Sequence, residues 1–109
     1  MTTTFEDRKN AYEAKFVRDE ELNFRVHARR NKLFGLWIAD QLHLRDEKAE
    51  QYALSVVDAD IIEKGEEDLI EKVTHDLETA GVAADRDAIL QRLHVYLEEA
   101  RKQLLPEIR

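Results

Sequence analysis

The chain of 109 residues has no cysteine, one proline, three glycines and a single serine. Without cysteine, neither a disulfide nor a thiolate metal site can staple the fold. The proline is Pro106 and the glycines are Gly35, Gly65 and Gly81, so long stretches contain nothing that breaks a helix. No apolar run approaches the length of a membrane span, and the opening residues Met1 to Asp7 are too polar for a secretory signal. These absences predict a soluble, intracellular protein.

Catalytic signatures are missing as well. The lone Ser55 lies inside a helical pattern, with no strand-turn-helix elbow to build a triad, and neither a P-loop nor a dinucleotide glycine fingerprint occurs. A di-iron bundle needs two carboxylate-x-x-His helices. Only Asp40 and His43 have that spacing, because Phe24, Lys72 and Gln91 stand three positions before His27, His75 and His94. No two histidines are four apart, as a zinc helix requires. The residues therefore predict no enzyme, no metal and no cofactor.

What is present is helical. Hydrophobic residues make up 43% and charged residues 38% of the chain, enough for one small domain with a modest core. The net charge of −7 is unevenly spread: residues 1–45 carry +2 and residues 46–109 carry −9. An acidic body opposes nucleic-acid or anionic-membrane binding, which needs a net basic face. The local exception is Arg25, His27, Arg29, Arg30 and Lys32. This cluster reads first as a solvated face or as an internal partner for the acidic remainder, and it leaves weak nucleotide binding open.

The longest element is the first. Thr4 with Asp7 three residues later is a capping-box variant, and from Phe5 to about Leu42 the pattern reads as one long helix or two nearly in line. As one straight rod it would span roughly 57 Å, about twice the reach of any later helical run. Part of it must overhang whatever core the rest can build. Its early stripe, Phe5, Tyr12 and Phe16, is narrow and embedded in charges, whereas Leu22, Val26, Leu33, Phe34, Leu36, Trp37, Ile38 and Leu42 form a broad apolar face. Trp37 is expected at the centre of the core. Gly35, costly within a helix, predicts close approach of a neighbouring helix or a slight bend.

A second helix should start near Asp46 with Ala49, Tyr52, Ala53, Val56 and Val57 inward, and stop at Gly65 in a left-handed cap. A third carries Glu66, Glu67 and Asp68 in its first turn and the stripe Leu69, Ile70, Val73 and Leu77, with Gly81 as its cap. A fourth runs from Asp85 with Ile89, Leu93, Tyr96, Leu97, Ala100 and Leu104 inward, closed by Pro106. Among the acids, Asp58, Asp60 and Glu63 read as ordinary helix-end carboxylates. The fold class is all-α, a small four-helix bundle with a long N-terminal helix or helical arm. Residues 1–19 form the arm and residues 20–109 the bundle domain.

Several runs carry a family likeness: Phe5 to Arg8, Tyr12 to Phe16, Asp19 to Glu21, Ala28 to Leu33 and Gly35 to Trp37. It continues through Tyr52-Ala53, Val56-Val57, Asp60, Gly65, Asp68, Lys72-Val73, Asp76-Leu77 and Ala80 to Val82. In order and spacing they resemble the zeta subunit family, the inhibitor subunits of F-type ATP synthase in alphaproteobacteria. The resemblance implies a bundle whose N-terminal arm enters a catalytic alpha/beta interface beside the gamma stalk and blocks ATP hydrolysis. It implies the alpha, beta and gamma subunits of the catalytic head as partners, with Phe5, Asp7, Arg8, Lys9, Tyr12 and Phe16 as contacts. The location implied is cytoplasmic, peripheral to the inner membrane through that enzyme. Where the family pattern has glycine at the end of the long helix, this chain has His43-Leu44-Arg45, which points to a longer or differently capped turn. A competing reading is a structural or adaptor bundle with Phe5, Tyr12 and Phe16 packed in its own core.

Overall fold

The computed structural model describes the backbone of residues 5–62 and 65–104, and side chains at 20–60 and 65–104. Four helices follow one another: α1 (Phe5–Gln41), α2 (Asp46–Ile62), α3 (Glu66–Thr79) and α4 (Arg86–Leu104). The fold is a helical bundle. α1 is one unbroken helix of 37 residues, about 55 Å of rod at the usual rise. α2, α3 and α4 have 17, 14 and 19 residues. The molecule measures 66 × 25 × 21 Å, so its long dimension is set by α1.

α1 is the spine. It packs along α2 and α4 and touches α3 least. Its inward stripe runs at intervals of four through Val26, Arg30, Phe34 and Ile38, all buried. α3 contributes Leu69, Ile70, Val73 and Leu77, the stripe expected from its 3.6-residue period, and α4 contributes Ile89, Leu93 and Ala100. Phe34, Ile38, Ile70 and Leu93 are among the largest side chains completely removed from water, each contributing about 1.5–3 kcal/mol of transfer free energy.

Trp37 is not the centre of this core. Phe34 holds that place, and Trp37 is half-buried beside it, ring centroids 6.3 Å apart and planes 27° from parallel. The Arg92 guanidinium of α4 lies 5.4 Å from the indole centroid. Phe34 and Ile38 continue the four-residue stripe from Val26, whereas Trp37 stands off its edge, so its indole lids the core under a cation.

Gly35 does what its cost implies. A Cβ there would sit 2.8 Å from Ala53 Cα, closer than real atoms approach, and a tight 3.3 Å from the Ala53 carbonyl oxygen. The α1–α2 contact is therefore backbone to backbone at Gly35 and Ala53. Two boundaries differ from expectation. Gly65 has φ 154 and ψ 142 and is the N-cap of α3; it turns the chain into α3 in an extended, mirror-image conformation, not as a left-handed stop to α2. At the end of α1 the turn is of ordinary length. The Leu44 amide donates to the Ala39 carbonyl at 2.9 Å and the His43 amide to that of Asp40 at 3.0 Å, the bonds of a Schellman cap. His43 itself takes the left-handed conformation, φ 62.

The caps at the end of α3 and the start of α4 follow the sequence. At the end of α3, the Val82 amide donates to the Leu77 carbonyl and the Gly81 amide to that of Glu78, with Gly81 at φ 77. Asp85 accepts from the Asp87 and Ala88 amides and starts α4. Thr4 and Pro106, expected as cap and stop, lie outside the described residues.

These positions give opposite predictions for two small substitutions. Gly35→Ala should destabilise the bundle by about 1–3 kcal/mol despite its better helix propensity, because backbone blocks the new methyl. His43→Gly should stabilise it by about 1 kcal/mol by relieving left-handed strain at an exposed site. Urea unfolding of each variant beside the parent reads both signs.

Candidate functional site

The feature no periodicity argument anticipated is a buried cation. Arg30 is 5% exposed and its neighbour Asn31 only 1%, the buried polar residues among those described. Burial lowers the proton affinity of the guanidinium from its ordinary value, and Asp60 and Glu66 act to raise it. Arg30 Nε donates to Asn31 Oδ1 at 3.0 Å, and Asn31 Nδ2 donates to Asp60 Oδ2 at 2.8 Å. The guanidinium also lies 3.7 Å from Asp60 and 3.7 Å from Glu66, and Glu66 is met in turn by His94 of α4 at 3.4 Å. One network thus joins all four helices: α1 through Arg30 and Asn31, α2 through Asp60, α3 through Glu66 and α4 through His94.

Beside this network opens a cavity of about 650 Å³, a size suited to a small ligand. Phe24 and Val57 give it apolar surface, while His27, Arg30, Asn31, Asp60 and Glu66 give it polar groups. Burial lowers the His27 pKa from its ordinary value, and the charge of Arg30 lowers it further. A second cavity of about 460 Å³ adjoins it, sharing Phe24, Ala28 and Val57 and lined in addition by Arg25, Arg29 and Lys32. The lining residues include no hydroxyl or thiol nucleophile. The arrangement is equipped to bind.

The basic cluster found in the sequence is thus divided. Arg30 turns inward onto the acidic helices, as one reading of the cluster anticipated, and Lys32 pairs with Glu50 at 3.7 Å on the surface. Arg25 and Arg29 line the second cavity. Asp60, read as an ordinary helix-end acid, is instead the main counter-charge of Arg30. Arg30 and Asn31 had a signal that a wider reading would have caught: Arg30 occupies the core interval between Val26 and Phe34. The side chains of the expected contact residues Phe5, Asp7, Arg8, Lys9, Tyr12 and Phe16 lie outside the described residues; their backbone belongs to α1. Among the described residues, no group of three or more His, Cys, Asp or Glu is arranged to hold a metal ion, and no helix is long and apolar enough to cross a membrane.

Residues 1–103 match the family model described as ATPase inhibitor subunit zeta. Among solved structures, one determined by NMR in solution is 36% identical, with a TM-score of 0.69 over 79% of this chain and 98% of that one. No curated protein matches the chain.

The network can be tested by unequal truncation. Arg30→Ala strands Asn31 and Asp60 in the bundle and should cost about 3 kcal/mol. Lys32→Ala removes a surface pair and should cost at most about 1 kcal/mol. Chemical denaturation of the two variants measures the difference.

Proposed function

The chain belongs to the ATPase inhibitor subunit zeta family, and from that premise we propose that it blocks ATP hydrolysis by F-type ATP synthase. The acting part is the N-terminal arm, about residues 1–19, inserted at a catalytic alpha/beta interface beside the gamma stalk. The observation that supports this most is the disproportion of α1, whose 37 residues far exceed the 19 of the next longest helix. Because α1 is unbroken from Phe5 to Gln41, the adaptor reading, which needs the N-terminal segment turned back onto the core, has less support. A body about 25 × 21 Å across cannot follow a single helix between two subunits; it halts at their surface and leaves the arm as the wedge.

Energetically, Phe5, Tyr12 and Phe16 would each contribute roughly 1.5–3 kcal/mol on full burial in the interface. Asp7, Arg8 and Lys9 would set orientation. The net affinity is smaller than the sum, by the cost of association.

A subsidiary reading concerns weak nucleotide binding. The first cavity supports it: Phe24 offers an aromatic face for a base, and Asn31 and Asp60 offer polar partners for base or ribose. Amide shifts recorded by NMR during titration with ADP should concentrate on residues 24–32 and around Asp60. Shifts confined to other parts of the bundle, or none, remove this reading and leave the arm untouched.

The main test is hydrolysis by the catalytic head of an F-type ATP synthase titrated with three proteins. The parent chain should inhibit. A chain starting at Glu20, and the full chain carrying Phe5→Ala, Tyr12→Ala and Phe16→Ala, should each lose at least about tenfold in potency, the effect of roughly 1.4 kcal/mol. Equal potency of all three would refute the arm as the acting segment.

A further inference from the structure

We propose that the second cavity is a docking groove for a short, acidic, amphipathic helix of the inhibited enzyme, a second contact made by the bundle itself. This rests on the reading of the chain as an ATPase inhibitor. Three observations carry it.

The first is exposed apolar surface in one place. Among the described residues, the large hydrophobic side chains most open to water are Phe24 at 62%, Leu54 at 53% and Val95 at 49%. Phe24 and Leu54 line the same groove, together with Ala28, Val57 and Leu104. Single exposed apolar residues are ordinary, but two that share a concave surface form a patch that an apolar side chain can fill.

The second observation is charge. The groove is lined by Arg25, Arg29 and Lys32 and by no carboxylate, on a chain whose net charge is −7. Lys32 reaches Glu50 only across a half-exposed surface pair, which a partner carboxylate can replace at little cost. An occupant with an apolar stripe and flanking Asp or Glu fits this surface, and a basic one is repelled. The lining residues from Phe24 to Lys32 span about 12 Å of α1, enough for two turns of a partner helix.

The third is continuity. Phe24 is eight residues past Phe16 on the same unbroken helix, about 12 Å along it. An enzyme that holds the arm therefore has its own surface within reach of the groove, and the two contacts reinforce each other through effective concentration.

The test uses the full chain with intact arm residues. Phe24→Ser with Leu54→Ser, and separately Arg25→Glu with Arg29→Glu, are checked for folding by thermal melting and then titrated against hydrolysis. Both should need at least about tenfold more protein for half-inhibition while reaching the same maximal inhibition at saturation. The Arg25→Glu, Arg29→Glu chain should also lose the parent's sensitivity to added salt. Folded variants as potent as the parent would overturn the groove and leave the arm standing. A parent without inhibition would fail the inhibitor reading, and the groove with it. A free parent that dimerises, with Phe24→Ser and Leu54→Ser releasing monomers in sedimentation, would assign the groove to a second copy and equally overturn the proposal.

Discussion

The bundle is built around a cation that has left water. A guanidinium at 5% exposure has to be met by charge and hydrogen bonds, and the groups that meet Arg30 come from separate helices. Asp60 has to be in the last turn of α2 and Glu66 in the first turn of α3, so the α2–α3 junction is fixed against α1 by electrostatics. Packing alone would hold it poorly, because α3 touches α1 less than α2 and α4 do. The same requirement keeps that end of the bundle from closing completely. Polar side chains directed at Arg30 leave the cavity of about 650 Å³ beside them, where an all-apolar layer would have filled the space.

At the other end of the bundle the constraint is steric. Gly35 brings the backbone of α1 against Ala53 of α2, and below that contact Phe34, Ile38, Val56, Ile70 and Leu93 form one core. Tyr52 adds a polar tie. Its hydroxyl donates to Asp76 at 2.8 Å, Lys72 donates to the same carboxylate at 3.0 Å, and the Lys72 ammonium lies 5.4 Å from the Tyr52 ring centroid. Burial and the bond to Asp76 raise the phenol's pKa well beyond its usual range, so the hydroxyl stays a donor at any physiological pH. Thus α2 and α3 are joined by polar networks at two separate places.

How much of this could be read from the sequence depended on whether the deciding force was local. Helix count, the stripe of α3, the cap at Gly81 and the start at Asp85 follow from neighbours in the chain, and they are found where the pattern puts them. The close approach at Gly35 was legible because a helical glycine has a cost that needs a reason. What was not legible depended on partners remote in sequence. The basic cluster allows an internal partner for the acidic helices, but which of its residues turns inward is settled only when Asp60, thirty residues on, and Glu66 are brought to Arg30. Trp37 reads as the core's centre by size, but position on the stripe outranks size. His43 reads as a break in the cap pattern, yet the Schellman hydrogen bonds form with histidine in the left-handed place. The cavities have no sequence signature, since they arise from what four helices fail to fill.

If the N-terminal arm is the inhibitory segment, as proposed, the geometry also gives a reason for it to be part of a bundle. A free helix of about fifteen residues is marginal in water, because its first turn costs more conformational entropy than one hydrogen bond returns. In this chain the turn is already formed: residues 20–41 of α1 are held by α2 and α4, so the helix propagates toward Phe5 from an existing nucleus, adding one hydrogen bond per residue fixed. An arm prepared in this way loses less freedom on entering a protein interface. On the proposed reading, the narrow stripe of Phe5, Tyr12 and Phe16 then suffices as the anchor, because the bundle has already met the cost of nucleating the helix.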